Sequence, residues 1–545
     1  MAQEQGLINP DRKKIQIFDT TLRDGTQGEH ISFSAEDKVR IAQKLDDFGV
    51  HYIEGGWPGS NPKDLFFFRK VSGMSFRNAK IVAFGSTRHA KNKVEDDPNI
   101  RALMDAETQA VSLFGKSWIL HVRNALRVDP EENLTMIEDS VRFLKSQGKE
   151  VIYDAEHFFD GYKDDACYAL NTLKAAEEAG ADVIVLCDTN GGTLTPDLAE
   201  IIRKVRKVIR QPLGIHAHND SDLAVANSII AVDEGCNHVQ GTVNGYGERC
   251  GNANLCTVIP NLQLKRGHQC VEDEKLKHIT ALSHYVSELA NLQHPTSMPF
   301  VGKSAFAHKG GIHVSAVMRD RKTYEHIHPE TVGNRQRVLI SDLSGRSNVV
   351  YKADELSIDL NDHQASIPEI VEKLKDLENR GFQFEAAEGS FELLVKKMIG
   401  EWQEHFQLEG WRLLVEKNES GTPRSEASIR LNVDGVPEHT ASEGIGPVNA
   451  LDKALRKALI RFFPEIKDMH LTDYKVRDLN TRDGTSAQVR VLIESSAGDT
   501  SWITVGVSEN IIEASWQALM DSFSYYLQKN CRREAAAVPD IQKTG

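Results

Sequence analysis

The stretch Ile15-Gln16-Ile17-Phe18-Asp19-Thr20-Thr21-Leu22-Arg23-Asp24-Gly25 decides the fold. Its apolar start, Ile15–Phe18, predicts the first strand of a parallel sheet, and the strand runs directly into a polar turn. An open dinucleotide-binding sheet carries a Gly-x-Gly-x-x-Gly turn at this point. Because Asp19–Gly25 does not have that pattern, the stretch favours a closed barrel over a doubly wound open sheet.

The segments that follow repeat the same strand-and-helix unit. Seven further apolar runs predict strands: His51–Glu54, Ile81–Phe84, Ala110–Phe114, Val151–Tyr153, Val183–Leu186, Leu213–Ala217 and His238–Val243. Amphipathic stretches predict helices between them, among them Ser34–Phe48, with Ser34 as its N-cap, Asn133–Lys145, Asp164–Ala179, Pro196–Ile209 and Ser221–Glu234. Eight such units over roughly 250 residues predict a (β/α)8 TIM barrel, assigned to residues 14–292.

The remaining chain predicts two further regions. Residues 293–396 are expected to form a small helical linker, with short helices at Lys352–Leu360 and Ile367–Asn379. Residues 397–532 contain an internal repeat and are expected to form an α+β domain. The two copies are predicted as Ser425–Asn432, Val436–Ala441 and helix Val448–Phe463, then Thr485–Glu494, Thr500–Val507 and helix Ile511–Leu527.

The repeat leaves two functional interpretations open. One is an ordinary dimerisation domain, and the other is a regulatory domain that binds a small effector between its copies. The polar loops before the two helices, Gly444–Pro447 and Ser508–Asn510, are the expected effector sites.

Composition excludes several classes of partner. The 545 residues carry a formal net charge of −14, which argues against binding nucleic acid or anionic membrane surfaces. No run approaches the ~18 apolar residues of a membrane helix, and residues 1–14 show no apolar signal segment. Seven cysteines without a Cys-x-x-Cys pair fit reduced thiols. The sequence therefore predicts a cytoplasmic protein.

A metal site is indicated by His216-Ala217-His218-Asn219-Asp220. Side chains alternate along a strand, so the two imidazoles lie on one face. Together with the carboxylate of Asp24 they could bind Mg²⁺, Mn²⁺ or Zn²⁺ and leave positions open for an anionic oxygen ligand such as a 2-oxoacid. The alternative is a pair of ordinary polar residues.

Polar side chains also follow several predicted strands, and the carboxyl ends of barrel strands share one mouth. Strand 1 supplies Arg23, Asp24 and Gln27, strand 5 supplies Asp154 and Glu156, and strand 6 supplies Thr189. Arg23 could stabilise developing negative charge, and Glu156 could abstract a proton. Their convergence predicts an active site.

Three motifs carry a family resemblance: Asp19–Gly25 with Gln27, His216–Asp220, and Gly247–Ala253. They resemble the signatures of the Asp-Arg-Glu TIM-barrel metallolyases. Within that superfamily the whole chain resembles the α-isopropylmalate, homocitrate and citramalate synthases, which use acetyl-CoA in Claisen-type condensations. The runs Gly55–Asp64 and Tyr153–Tyr162 are most similar to the longer-chain citramalate synthase branch.

The resemblance implies a role for each candidate residue. The metal ligands would be Asp24, His216 and His218, with Asn252 adjacent; Arg23 would polarise the oxoacid carbonyl, Glu156 would deprotonate, and Thr189 would contact the oxoacid carboxylate, with Gln27 and Asp154 in the substrate pocket. In the linker, His313 and Tyr324 match residues that assist catalysis, His313 from a partner subunit. The family's usual His-Gln-Asp is here His313-Val314-Ser315, and structural packing is the alternative role for this pair.

The implied activity is an acyltransferase that condenses acetyl-CoA with pyruvate, giving (R)-citramalate and CoA in isoleucine biosynthesis. The acidic Asp154 would disfavour oxoacids with a distal carboxylate. The expected cofactor is Mn²⁺ or Mg²⁺, with Zn²⁺ a further candidate, and the expected assembly is a homodimer with isoleucine as effector. Alternatives are a 2-isopropylmalate synthase using 3-methyl-2-oxobutanoate, a lyase or aldolase on the same site, and a non-catalytic amino-acid sensor.

Overall fold

A computed structural model describes residues 12–417, 421, 423–479 and 487–530. The chain forms two compact units. Among the described residues, the first comprises those up to Phe306 with Ile327–Gln336, and the second comprises Ala307–His326 with those from Arg337 onward. No helix among the described residues has both the length and the apolarity to cross a membrane.

The first unit is built around a closed barrel of eight parallel strands in sequential order. The strands are β1 (Gln16–Asp19), β2 (Tyr52–Gly56), β3 (Lys80–Ser86), β4 (Ala110–Lys116), β5 (Glu150–Glu156), β6 (Val183–Asp188), β7 (Leu213–Ala217) and β8 (His238–Gly241). The barrel closes where β8 pairs with β1, from His238 opposite Gln16 to Gly241 opposite Asp19. The predicted TIM barrel is confirmed.

Helices follow the strands in the order that the sequence predicted. They are α1 (Ala35–Phe48), α2 (Pro62–Val71), α3 (Pro98–Asp105), α4 (Ile119–His121), α5 (Pro130–Ser146), α6 (Phe158–Asp164), α7 (Ala166–Glu178), α8 (Thr195–Val205), α9 (Ala224–Asp233), α10 (Leu255–Pro260), α11 (Asp273–Leu276) and α12 (Ile279–Leu289). Ser34 is the N-cap of α1, as predicted: its hydroxyl accepts from the Asp37 amide, and Asp37 accepts from the Ser34 amide in return.

Alternation along the strands divides their side chains between the barrel interior and the helix layer. Apolar side chains from β1 to β6 form a cluster inside the barrel, made of Phe18, Tyr52, Val82, Ala110, Ile152, Val183, Val185 and Cys187. Further toward the carboxyl ends the inner residues become polar, because Glu54, Ser112, Asp154, His216 and Gln240 follow at the same spacing of two. The barrel interior therefore has an apolar amino-terminal end and a polar carboxyl-terminal end.

The second unit begins with helices and a two-stranded sheet. The helices are α13 (Gly311–Arg319), α14 (Arg346–Glu355), α15 (Ile367–Asn379) and α16 (Glu388–Ile399), and β9 (Ala307–His308) pairs with β10 (Arg337–Val338). Helix α15 has the predicted bounds. The predicted helix at Lys352–Leu360 has different bounds in the structure, because α14 begins earlier, at Arg346, and ends at Glu355.

Two similar antiparallel modules complete the second unit. The first has β11 (Gln407–Lys417), β12 (Pro423–Val433), β13 (Val436–Gly444) and α17 (Pro447–Leu459); the second has β14 (His470–Asp478), β15 (Val489–Ala497), β16 (Thr500–Ser508) and α18 (Ile511–Asn530). Each copy therefore has three strands before its helix, so the prediction of two was incomplete. Residues 485 and 486 of the predicted strand Thr485–Glu494 lie outside the described residues.

The first strands of the two modules share an irregularity. The register of β11 against β12 shifts between Leu408 and Gly410, and that of β14 against β15 shifts between Leu471 and Asp473. Both strands also lie at an edge of their sheet. The internal repeat thus extends to a β-bulge near the start of each outer strand.

Candidate active site

Three predicted metal ligands meet at the carboxyl end of the barrel. Asp24 lies in the turn that follows β1, and His216 and His218 lie at the end of β7. The Oδ2 atom of Asp24 is 3.3 Å from His216 Nε2 and 3.7 Å from His218 Nε2, and all three side chains are buried. Their ligand atoms lie within 4.8 Å of one another. This is the compact N, N, O set that suits one divalent ion.

The protonation states of Asp24 and His218 favour ligation. Burial alone would raise the pKa of Asp24, but Arg23 and the two imidazoles outweigh it and hold the pKa well below its ordinary value. Burial, followed by the neighbouring His216, lowers the pKa of His218 to about 3. Asp24 is therefore an anion and His218 a neutral imidazole at pH 7, the forms that bind metal.

Asn252, the predicted further ligand, lies in the loop after β8. Residues His218 and Asn252 form an isolated antiparallel bridge, so the loop is tied to the end of β7. The Asn252 Nδ2 atom donates to the Tyr246 carbonyl at 3.4 Å, whereas its Oδ1 atom is buried without a hydrogen-bond partner. A buried amide oxygen without a partner, on a residue bridged to His218, is a suitable donor for a cation, so these four residues fit the divalent metal that the family resemblance implies.

Arg23 is fixed in the same mouth by two contacts. Its Nε atom donates to Glu54 Oε2 at 2.7 Å, and its guanidinium carbon lies 3.8 Å from the centre of the Phe84 ring. Glu54 is fully buried at the end of β2, and burial raises its pKa to about 7 even though Arg23 opposes that shift. Glu54 was not singled out from the sequence, although an inner acidic residue at a strand end was the available signal.

Glu156 ends β5 and lines the cavity at the barrel mouth, as predicted. The carboxylate is half-buried and forms an ion pair with Lys116 from the end of β4. Thr189 lines the same cavity and accepts a hydrogen bond from the His157 amide at 2.9 Å. Because that bond uses an oxygen lone pair, the hydroxyl proton of Thr189 stays available to a ligand. Gln27 also lines the cavity.

Asp154 lies inside the barrel on β5, two residues before Glu156. Both of its carboxylate oxygens accept hydrogen bonds. Ser112 Oγ donates to Oδ2 at 2.6 Å, and Gln240 Nε2 donates to Oδ1 at 2.9 Å. Asp154 lines the cavity, but its polar atoms are directed to β4 and β8.

The cavity at the barrel mouth has a volume of about 210 Å³. Three aromatic side chains that sequence reasoning missed form one wall: Trp57, Phe84 and Phe114. The two phenylalanine rings stack at 5.2 Å, and Trp57 meets each of them edge-on at 5.6 Å. The Trp57 indole also donates to Asn99 Oδ1 at 2.8 Å, which fixes its orientation. A rigid apolar wall of this kind limits the size of the ligand.

His313 and Tyr324 belong to the second unit. Their rings stack with centres 4.2 Å apart, and Tyr324 is 46% exposed. The structure thus brings this pair together, and His313 is also exposed.

Three family models match successive parts of the chain. Residues 14–286 match the HMGL-like family, residues 300–381 match the homocitrate synthase post-HMGL domain-like family, and residues 385–527 match the LeuA allosteric (dimerisation) domain. The chain is 57% identical to an (R)-citramalate synthase of Geobacter sulfurreducens and 56% identical to one of Aquifex aeolicus, each over 95% of this chain and 98% of the relative. A probable 2-isopropylmalate synthase of Methanopyrus kandleri is 34% identical over 94% of this chain and 97% of the relative.

Proposed function

This chain belongs to the HMGL-like family, and from that membership we propose that it is an acyltransferase that makes (R)-citramalate from acetyl-CoA and pyruvate. The observation that carries the chemistry is the meeting of Asp24, His216 and His218 beside Arg23 in one cavity. The identity to (R)-citramalate synthases supports the choice of reaction. In this proposal residues 14–292 carry the catalytic site, residues 293–396 complete it, and residues 397–532 regulate it.

Asp24, His216 and His218 would hold a divalent metal, Mn²⁺ or Mg²⁺ in the first place, with Asn252 Oδ1 as a further ligand. When bound, such an ion supplies Lewis-acid polarisation of the ketone of a 2-oxoacid. The Thr189 hydroxyl donates to the carboxylate of the oxoacid. Arg23, held by Glu54 through Nε, directs its remaining N–H groups at the oxygen that gains negative charge.

Glu156 acts as the base. Its carboxylate removes a proton from the methyl group of acetyl-CoA, and the resulting enolate carbon forms a bond to C2 of pyruvate. The pyruvate ketone oxygen becomes an alkoxide beside Arg23 and takes up a proton. Lys116, the ion-pair partner of Glu156, holds the base at the mouth of the cavity. Water then cleaves the thioester, which releases CoA and free (R)-citramalate.

The cavity favours pyruvate for two reasons. Arg23 is the one cationic side chain among the described residues that line it, whereas Asp154, Glu156 and Glu248 are acidic. A second, distal carboxylate such as that of 2-oxoglutarate would therefore have no partner. The stacked wall of Trp57, Phe84 and Phe114 leaves room for a methyl group more readily than for the branched chain of 3-methyl-2-oxobutanoate.

The first experiment measures CoA release from acetyl-CoA by the metal-free enzyme after addition of Mn²⁺ or Mg²⁺. Pyruvate, 3-methyl-2-oxobutanoate and 2-oxoglutarate are compared, with an EDTA control and a control without oxoacid. Metal-dependent release with pyruvate, and (R)-citramalate as the product on a chiral column, is the expected result. Preference for 3-methyl-2-oxobutanoate would assign the chain to 2-isopropylmalate synthesis, and no release with any oxoacid would contradict the condensing activity.

The LeuA-type domain supports a homodimer in which His313 and Tyr324 complete the active site of the partner subunit. Their exposure and mutual stacking fit a pair presented to another surface. Co-expression of Asp24→Asn and His313→Ala chains tests this arrangement. Each mixed dimer should recover about half of wild-type activity, because one of its two sites regains both groups. Random pairing makes about half of the dimers mixed, so the whole preparation should show about a quarter of wild-type activity. Recovery of no activity would contradict the exchange between subunits.

The second unit also supports a role for isoleucine as effector. A cavity of about 610 Å³ lies between α17, the turn after it and β14. Val448, Ile460, Leu471 and Tyr474 give it apolar walls. Its wall also holds the ion pair of Arg456 and Asp452 at 3.1 Å, and the second oxygen of Asp452, Oδ1, has no partner and suits the ammonium group of an amino acid. Its lining residues belong to neither Gly444–Pro447 nor Ser508–Asn510, the loops favoured from sequence. Inhibition by isoleucine that is lost in Arg456→Met would support this site, and unchanged inhibition would exclude it.

We also assign the enzyme to the cytoplasm and to isoleucine biosynthesis. The six cysteines in the described part of the chain, Cys167, Cys187, Cys236, Cys250, Cys256 and Cys270, are all unpaired, as is usual in a reducing compartment. Genetic complementation tests this assignment: the cloned gene should restore growth of an isoleucine auxotroph and should not restore growth of a leucine auxotroph.

A further inference from the structure

Four polar side chains form a continuous chain of hydrogen bonds across the barrel interior. Ser112 on β4 donates to Asp154 on β5 at 2.6 Å, Gln240 on β8 donates to Asp154 at 2.9 Å, and Gln240 Oε1 lies 2.8 Å from His216 Nδ1 on β7. The bond between Asp154 and Gln240 links strands that are not neighbours in the barrel. We call these four residues the relay.

The relay has only one consistent direction. A carboxylate accepts hydrogen bonds and donates none, so the NH₂ group of Gln240 must face Asp154. The carbonyl oxygen of Gln240 then faces His216, and it can accept only if Nδ1 of that imidazole carries the hydrogen. In the neutral imidazole with its hydrogen on Nδ1, the lone pair is on Nε2, which is the atom 3.3 Å from Asp24 Oδ2.

Burial makes this direction costly to reverse. All four side chains of the relay are buried, and Gln240 is 1% exposed. Turning the Gln240 amide would set an N–H against His216 Nδ1 and a carbonyl against the Asp154 carboxylate. Water cannot compensate such a mismatch at this depth, so the reversed state loses two hydrogen bonds.

We propose that Ser112, Asp154 and Gln240 are positioning residues that hold His216 in the Nδ1–H tautomer and aim its Nε2 atom at the metal position. Asp154 therefore acts through Gln240 and His216, and not as a substrate-binding group. The inference rests on the metal site of the proposed function, and it adds residues outside the ligand set. Loss of such a supporting hydrogen bond costs about 10–100-fold in metal affinity.

The experiment measures Mn²⁺ affinity by electron paramagnetic resonance on the metal-free full-length protein. Gln240→Leu and Asp154→Leu should each weaken Mn²⁺ binding about 10–100-fold. The double variant should be no weaker than either single variant, because both changes break the same relay. Asp154→Asn should bind Mn²⁺ nearly as well as wild type, since the Asn oxygen still accepts from Gln240 and the Ser112 hydroxyl can turn to accept.

Gln263→Leu is the matched control. Gln263 is also a buried glutamine of the first unit, and it donates to Asp273 Oδ1 at 2.6 Å, away from the barrel mouth. Its replacement should lower the melting temperature and leave Mn²⁺ affinity unchanged. A parallel loss of Mn²⁺ affinity in this control would show that Gln240→Leu acts through stability, and would overturn the proposal.

Three other results would also overturn it. Equal Mn²⁺ affinity of Gln240→Leu and wild type would show that the relay has no role in metal binding, while the proposed metal site would stand. A loss in Asp154→Asn as large as in Asp154→Leu would show that the charge of Asp154 acts directly. Failure of the wild-type protein to bind Mn²⁺ would overturn the proposed metal site together with the relay.

The wild-type protein offers a direct test of the position of the hydrogen. In metal-free protein labelled with ¹⁵N-histidine, His216 should show the hydrogen on Nδ1, with its signal assigned by loss in His216→Asn. A hydrogen on Nε2 with none on Nδ1 would contradict the proposed direction.

Discussion

Two buried histidines at opposite ends of the barrel interior show what separates a proposed metal ligand from a core residue. His238 starts β8, is fully buried, and has no hydrogen-bond partner at either ring nitrogen. His218, just past the end of β7, is buried too, and its Nδ1 atom also has no partner. Burial is the main cause that lowers the pKa of both imidazoles to about 3.

Their surroundings differ. His238 packs against the rings of Phe18 and Tyr52, with ring centres 5.2 and 5.6 Å away. His218 faces the Asp24 carboxylate at 3.7 Å, and its backbone is bridged to Asn252, whose buried oxygen has no partner. Burial and titration therefore do not identify a metal ligand. His218 is distinguished by the convergence of its nitrogen with a second imidazole and a carboxylate oxygen.

Substitution of these two histidines is expected to give the largest contrast. His218→Ala should abolish Mn²⁺ binding and reduce CoA release below detection, because one ligand of a three-residue set is lost. His238→Phe should retain both, since Phe fits an aromatic surrounding and removes two unsatisfied nitrogens. Mn²⁺ titration and CoA release measure the pair. Loss of metal binding in His238→Phe would contradict the assignment of His238 as a core residue.

Arg23→Lys should have the next largest effect. A lysine cannot both donate to Glu54 and present a planar fork to substrate, so kcat should fall about 10²–10³-fold. The control is Arg12→Lys, an arginine paired with Asp273 elsewhere in the same unit. Steady-state kinetics at saturating pyruvate report the difference. Near-full turnover of Arg23→Lys would contradict the assigned role.

Phe114→Ala should alter specificity more than rate. Opening the aromatic wall should raise the preference for 3-methyl-2-oxobutanoate over pyruvate about 10-fold, because extra methyl groups in an apolar pocket are worth about 1–3 kcal/mol. Phe66→Ala, at a half-exposed phenylalanine, serves as the control. The ratio of kcat/KM for the two oxoacids is the measurement, and an unchanged ratio would exclude the wall as the size filter.

Acid stability should show the smallest effect. The folded state holds His238 neutral down to about pH 3, whereas an unfolded imidazole gains its proton near its ordinary pKa of 6.5. The free energy of unfolding of the metal-free protein therefore falls as the pH drops below about 6.5. His238→Phe should reduce this slope by up to about one proton per molecule, measured by urea unfolding between pH 4 and 7. An unchanged slope would contradict the buried neutral state.

The sequence predicted the strands of the barrel better than the side-chain contacts across its interior. The apolar runs are local signals, and each of the eight lies at a strand. Asp154 was expected to contact substrate, but its partners Ser112 and Gln240 lie 42 and 86 residues away in the chain. Such pairings depend on how the barrel closes, and no local pattern encodes them.

The missed elements have similar physical causes. Glu54 was counted as part of an apolar run, so its position at the inner end of β2 was overlooked. Strands β11 and β14 were missed because most of their residues are exposed and several are charged, which weakens the alternation that marks a half-buried strand.

The bulges in β11 and β14 have a consequence for assembly. A closed barrel has no unpaired edge, but each three-stranded sheet of the second unit presents one at its outer strands. Long regular edges recruit strands from other molecules and seed aggregation. A bulge twists the edge out of register, and charged residues such as Arg412, Glu416, Lys475 and Arg477 make strand addition unfavourable. The repeat has thus kept, in both copies, a safeguard against uncontrolled polymerisation.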